Sequence, residues 1–234
     1  MRRTQINGAY APEDEVSESG AVGQRSKLRL ENLSDLVFGL ALSLGSIVLV
    51  SKSVATPSDL VTNVALFGFS FIIVIWIWSG YTRVMAVLPT EVRGTFMLNI
   101  ALLFCVAIEP YLFYVLYQPI SLSFLDFASS LYALDGAAMM FILAGLGYIV
   151  MAEENRSKAS MPGFNPERFR QIVYAEVVSG AIFLVSALPF TWIHDGLGSF
   201  LRFDSWYLVF IVFFVIFRIS RRARGPSSFV TPAS

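Results

Sequence analysis

Apolar residues arrive in this chain as long blocks rather than in strict alternation or as a one-sided helical stripe. About 20 consecutive, mostly apolar residues span a bilayer core as an α-helix, and six blocks meet that length or approach it. The first covers residues 33–50. The second follows Thr56-Pro57, a cap followed by proline, and runs to residue 87 before Pro89. The third covers residues 96–117 and stops before Pro119, and the fourth covers 127–151 and ends at Glu153-Glu154. The fifth covers 172–193. The sixth, 201–217, is the shortest, with Arg202 and Asp204 expected in its outer interface. The pattern predicts an all-α, polytopic membrane protein with six transmembrane helices.

Polar segments frame these blocks. Residues 1–30 carry Gly, Pro, Glu and Ser, and no apolar run follows Arg2-Arg3, so they read as a disordered cytoplasmic arm rather than a signal peptide. Residues 31–220 form the transmembrane domain, and residues 221–234 a basic, then flexible tail. The longest internal loop, 153–171, is too short to fold alone. Basic residues set the orientation. Arg25, Lys27 and Arg29 precede the first span, and Arg83 and Arg93 bracket the turn between the second and third. Arg156, Lys158, Arg168 and Arg170 separate the fourth and fifth, and Arg218, Arg221, Arg222 and Arg224 follow the sixth. The opposite side has Lys52 and Arg202, so both termini are expected in the cytoplasm.

Composition narrows the functional classes. Of 234 residues, 56% are hydrophobic and 15% charged, against about a quarter charged in soluble domains. A formal net charge of zero argues against a nucleic-acid partner. A single cysteine, Cys105, and a single histidine, His194, remove disulfide frameworks and multi-Cys or multi-His metal sites. No nucleophile–base pair stands out, so an enzyme is not expected. Neither cofactor nor resident metal is implied. His194 beside Asp195 reads as a solvated loop pair.

The entrance to the first span is unusual. Arg29-Leu30-Glu31-Asn32-Leu33-Ser34-Asp35 places charges beside a run that is apolar to Val50 except at Ser43 and Ser46. An ionised side chain at mid-bilayer costs at least roughly 2.5–3.5 kcal/mol on insertion scales. The helix therefore pairs its charges or borders water. At 100° per residue, Leu40, Leu44, Ile47 and Ser43 fall at roughly 140°, 180°, 120° and 80° from Asp35, on one face. Around a shared axis they would form apolar collars and a hydroxyl ring, the elements of a dewetting gate. Periodicity alone is equally met by ordinary packing, the simpler account.

Other intramembrane polar groups admit two readings. Glu109 before Pro110, and Asp135, are either proton or ion sites or hydrogen-bonded carboxylates at helix junctions. For Glu176 the junction or interface reading is preferred. Asn99 reads as an interhelical hydrogen bond, and Gly136, Gly145 and Gly147 as close-packing positions. Phe210, Phe213, Phe214 and Phe217 face lipid or a neighbouring helix. Trp192 and Trp206 suit the outer aromatic belt and Trp78 the inner one.

Arg29-x-x-x-Leu33-Ser34-Asp35, followed by Val37-Phe38-Gly39-Leu40-Ala41, resembles the Arg-x-x-x-Phe-Ser-Asp signature of the endosomal and lysosomal potassium channel family, transmembrane protein 175 and its prokaryotic relatives. Trp78 and Arg83 resemble the family's Trp-x-Asn-His-His-Arg end of helix two. Met97-Leu98-Asn99-Ile100-Ala101-Leu102-Leu103-Phe104 with Pro110 resembles its third helix, and Tyr132 a helix-four tyrosine. Leu33 replaces the signature phenylalanine, and Tyr81 and Thr82 stand at the paired histidines. Asp35 thereby loses its expected histidine partner, leaving Tyr81 hydroxyl or Trp78 indole to donate to it.

The resemblance implies a potassium-permeable homotetramer at the cell membrane, with helix one lining the pore. It implies Leu40 as the narrowest constriction, Leu44 and Ile47 as the next layers, and Ser43 at a position usually held by threonine. Arg29, Leu33, Ser34, Asp35, Trp78, Tyr81, Arg83 and Asn99 form the expected signature network. The alternatives are a proton-coupled secondary transporter using Glu109 and Asp135, or a non-conducting membrane scaffold. K⁺ is the expected permeant ion, and membrane lipids the expected surroundings.

Overall fold

The structure, a computed structural model, describes residues 13–51, 54–88, 94–116, 118, 121–157, 165–189 and 197–222. They form α1 (Glu13–Ser51), α2 (Pro57–Val87), α3 (Thr95–Leu116), α4 (Leu122–Ser157), α5 (Pro166–Ser186) and α6 (Leu197–Arg222), with no strand among the described residues. Five of these helices contain stretches long and apolar enough to cross a membrane: Lys27–Val50, Pro57–Val87, Thr95–Leu116, Leu122–Arg156 and Phe169–Ser186. The protein is a multi-pass membrane protein. Among the described residues, α6 does not reach that apolar length. The pairs Lys52 and Arg93, and Trp192 and His194-Asp195, lie outside the described residues, as do Lys158 and Arg224.

Local chemistry explains most helix ends. Thr56 caps α2: the Asp59 N–H donates to Thr56 Oγ1 (3.2 Å) while Asp59 Oδ2 accepts from the Thr56 N–H (2.8 Å). This reciprocal box satisfies two orphan donors, and Pro57 enters at a position where no N–H is needed. Three segments differ from the sequence expectation. Residues 13–30 are helical where a disordered arm was expected, because α1 continues without a break from Glu13 into its membrane segment. The loop expected at 153–171 is shorter, since α4 persists to Ser157 and α5 starts at Pro166. The fifth helix ends at Ser186 rather than near residue 193. Pro189 explains it, having no N–H to continue the ladder and disfavouring helical geometry in Leu188.

α4 occupies the centre, packed against α2, α3 and α5; α1 lies on α2 and α3, and α6 on α5. Glycines set the α4–α5 approach. A Cβ at Gly147 would meet Val173 Cγ2 at 2.6 Å, and one at Gly136 would meet the Phe183 ring at 3.1 Å. Gly145 has its nearest neighbour at 3.8 Å, an ordinary contact, so close approach does not require glycine there. An aromatic cluster joins the helices. Trp206 of α6 packs on Tyr132 of α4 (ring centroids 4.9 Å), and Phe210 packs on Phe69 and Trp76 of α2. Phe214 is exposed, whereas the side chains of Phe213 and Phe217 lie outside the described set.

Two sequence expectations for α6 are corrected by this packing. Trp206 is a core residue, not part of an outer belt: it is 2% exposed and its indole N–H donates to Ser186 Oγ at 2.9 Å. With that donor satisfied inside the protein, the ring has no need of interfacial water. Arg202 likewise is fully buried rather than interfacial. Its guanidinium donates to the Asp126 carbonyl (2.9 Å) and to Ser129 Oγ, reaches the Leu188 carbonyl (3.5 Å), and lies 4.0 Å from Asp126 Oδ1. One cation thus ties α6 to the start of α4 and the end of α5.

Removing one partner of such a buried pair leaves an uncompensated charge and costs about 3–5 kcal/mol. Arg202→Met alone is expected to lower the melting temperature in detergent sharply. Arg202→Met combined with Asp126→Leu is expected to recover most of the loss. A thermal-melt series on the two purified variants checks both outcomes.

Candidate functional site

α1 has two unlike faces. Ser34, Phe38 and Ala41 are buried against the bundle, whereas Leu33, Leu36, Leu40, Ser43, Ile47 and Val50 are exposed. The exposed positions recur at alternating steps of three and four, so they form one continuous face of the helix. Leu40 is 56% exposed and Ile47 62%, with Leu44 at the edge of the same face at 40%. Ser43 is the hydroxyl on that face. Its Oγ donates to the Gly39 carbonyl (2.8 Å), so the oxygen lone pairs remain as outward acceptors.

α1 is held to α2 by two adjacent hydrogen bonds, one at an exposed edge and one buried. Trp78 Nε1 donates to Asp35 Oδ1 at 3.0 Å. One helical turn further along α2, Tyr81 Oη lies 2.7 Å from Ser34 Oγ. Ser34 also donates to the Leu30 carbonyl (2.8 Å), and with one hydroxyl hydrogen it must accept from Tyr81. Of the two donors open to Asp35 from sequence, the indole makes the bond and the phenol goes to the neighbouring serine. Phe38 packs on the Tyr81 ring (5.7 Å), and Lys27 Nζ donates to the Leu88 carbonyl (3.2 Å) at the end of α2.

The remaining members of the expected network are placed differently. Asn99 of α3 is fully buried beside the Tyr81 hydroxyl. Thr82 Oγ1 donates to the Ser79 carbonyl of its own helix. Arg83 Nε also donates to the Ser79 carbonyl (2.7 Å), and the guanidinium sits in the electrostatic reach of Glu176 on α5. Arg29 is exposed and has no hydrogen-bond or ion-pair partner among the described residues. Its side chain falls on the outward face, away from α2 and α3.

A second polar centre lies deeper. Glu109 of α3 is fully buried, and Ser70 of α2 donates to its two oxygens at 3.0 and 3.1 Å. Tyr132 of α4 donates to Oε1 at 3.2 Å. Asp135 lies one turn along α4 and meets the Cys105 thiol of α3. Glu176 is 1% exposed, inside the bundle rather than near an interface, and neither of its carboxylate oxygens has a hydrogen-bond partner among the described residues. It sits there because Gly80 of α2 leaves room: a Cβ at Gly80 would lie 3.3 Å from Glu176 Oε1. Ser70, Asp126 and Arg202 were missed as paired groups. The available signals were a lone hydroxyl within the apolar run of α2, and a lone acid and a lone base on the same side of the bilayer.

No three of the described His, Cys, Asp or Glu residues are grouped to hold a metal ion. The arrangement instead offers an apolar face bearing one hydroxyl, held rigidly from behind, and a buried carboxylate with two hydroxyl donors.

Residues 29–110 match the family described as endosomal/lysosomal potassium channel TMEM175, which bears out the resemblance read from the first helix. That segment holds the exposed face of α1, both hydrogen bonds to α2, and Glu109. Among solved structures, the potassium channel MtTMEM175, a threonine-to-alanine variant in complex with a nanobody–MBP fusion protein, shares the fold. The TM-score is 0.59 at 18% identity, covering 83% of this chain and 93% of that one. No curated protein matches.

The Trp78–Asp35 bond joins an indole to a charged acceptor at a half-open site, so a coupling of about 0.5–1.5 kcal/mol is expected. A double-mutant cycle of Trp78→Phe and Asp35→Asn, read by thermal melting, measures it. Tyr81→Phe, which strips the buried Ser34 of its donor, is expected to cost about 1 kcal/mol by the same readout.

Proposed function

With residues 29–110 matching the endosomal/lysosomal potassium channel family, we propose that the chain forms a potassium-permeable channel of the cell membrane. In this reading it is a homotetramer with six spans per chain and cytoplasmic termini, and α1 surrounds the pore. Leu40 forms the narrowest apolar collar, Leu44 and Ile47 the next layers, and Ser43 contributes hydroxyl oxygens that replace part of the water around K⁺. Ser34 and Asp35, held by Tyr81 and Trp78, set the rotation of α1 so that this face looks inward.

The observation that carries the proposal is the exposed face of α1. A helix in a bundle normally turns its most regular apolar stripe toward its own neighbours. Here Leu33, Leu36, Leu40, Ile47 and Val50 are left outward while Ser34 is buried. Ser34 and Asp35 of the helix entrance are spent on contacts with α2, and the apolar stripe is free for copies of itself. Lipid would satisfy the same stripe, but lipid has no use for the Ser43 acceptor in its middle.

A second reading keeps a specific observation of its own. Glu109, buried with Ser70 and Tyr132 as donors, is the arrangement a proton-coupled carrier needs, with Asp135 one turn away. Such carriers are built from paired repeats with broken helices, and no second half matches Glu109-Pro110.

Planar-bilayer recording from the purified protein separates these readings. K⁺ currents are expected, and Leu40→Ala is expected to raise conductance roughly fivefold, as a dewetting barrier falls by about 1 kcal/mol. Ser43→Ala is expected to lower K⁺ preference with little change in assembly. Absence of current, or a current indifferent to Leu40→Ala, sinks the channel reading. Saturable flux that follows the proton gradient and vanishes in Glu109→Gln establishes the carrier.

A further inference from the structure

The outward stripe of α1 continues past its apolar part. The helix runs unbroken from Glu13 to Ser51, so the geometry that aligns Leu40, Ser43 and Ile47 carries back toward its N-terminal end. At 100° per residue, Arg29 and Arg25 lie roughly 120° and 80° from Asp35, the bearings of Ile47 and Ser43. Both arginines are exposed, and neither has a hydrogen-bond or ion-pair partner among the described residues.

The other described charges of this segment point elsewhere. Glu31 lies roughly 160° round the helix from Arg29, and Asp35 roughly 120°. Lys27 stands 4.0 Å from Glu31 and donates to the Leu88 carbonyl, while Asp35 accepts from Trp78. The described part of the stripe therefore carries charge at one end only, and that charge is all guanidinium.

Copies of α1 gathered by this stripe bring like charges together. A guanidinium is always ionised, so losing a proton cannot relieve the repulsion. Glu31 and Asp35 of a neighbouring copy face away from the shared axis, which leaves the charge to a separate anion. Each planar fork makes two parallel N–H···O bonds to a phosphate, and rings of Arg or Lys are how pores recognise such groups. An anion with several phosphates has enough oxygens for every fork in the ring. Arg25, roughly 6 Å further along the helix, supplies a second tier.

We propose that the Arg29 ring, with Arg25 behind it, binds a polyvalent phosphate anion from solution at the mouth of the α1 assembly. This rests on the homotetrameric reading above and gives its mouth a ligand. The site lies roughly 16 Å along the helix from Leu40, about two Debye lengths at physiological salt, so it does not set which ion crosses the apolar collar. Its occupant relieves the repulsion between copies and stabilises the assembly by mass action.

Inorganic tripolyphosphate, titrated calorimetrically into the purified protein in phosphatidylcholine nanodiscs, tests the assignment, with native mass spectrometry reporting the oligomeric state. Saturation at one anion per four chains is expected, with a higher melting temperature for the tetramer and about tenfold weaker binding of orthophosphate. Arg29→Gln is expected to weaken tripolyphosphate binding about tenfold without dissociating the tetramer. Arg156→Gln, which removes an exposed cation of α4 away from the stripe, is expected to leave binding unchanged. A tetramer that gives no heat of binding, saturation at one anion per chain, or equal losses in Arg29→Gln and Arg156→Gln each overturn the proposal. Nanodiscs containing phosphatidylglycerol supply the lipid arm: anionic lipid retained by the unaltered tetramer and lost from Arg29→Gln assigns the arginines to headgroups and also overturns it. A chain that is not tetrameric overturns the homotetramer first, and the ring with it. Binding as expected without K⁺ current in planar bilayers counts against the channel reading alone.

Discussion

A hydrocarbon interior offers no water, so a polar side chain within a span is stabilised by a protein partner, and four such groups here find theirs on another helix. That constraint fixes how these helices are rotated. Asp35 finds Trp78, Ser34 finds Tyr81, and Glu109 finds Ser70 and Tyr132. Arg202 finds Asp126 and Ser129. Apolar side chains would tolerate many rotations, since lipid and a neighbouring leucine are nearly equivalent surroundings. The few polar pairs remove that freedom.

The consequence is clearest for α1. Two hydrogen bonds near its entrance turn Ser34 and Phe38 inward, and the helix geometry then carries Leu40, Ser43 and Ile47 outward. Function on the proposed reading resides in the face that the bundle leaves uncovered.

Much of the architecture was legible in the chain itself. Thr56-Pro57 announced the start of α2, and the apolar blocks located five spans whose length and composition suit a membrane. The misplacements have physical reasons. Pro189 stops α5 early, a breaker inside an apolar run that hydropathy alone overlooks. Residues 13–30 extend α1 although polar composition suggested an arm, because an existing helix needs no new nucleus to continue. Trp206 and Arg202 looked interfacial because a tryptophan or an arginine near a span end usually is. Ser186, Ser129 and the Asp126 carbonyl, all distant in sequence, made burial affordable.

By itself, then, the sequence determined the helical class, the approximate spans and the peculiarity of the 29–38 entrance, since these depend on local composition and on residues a few positions apart. It left Asp35 with two candidate donors, Trp78 and Tyr81. Only the tertiary structure assigned the indole to the carboxylate and the phenol to Ser34. The reason is geometric: those residues lie one turn apart on α2, so a rotation of α2 too small to alter any hydropathy pattern decides which of them meets the acid.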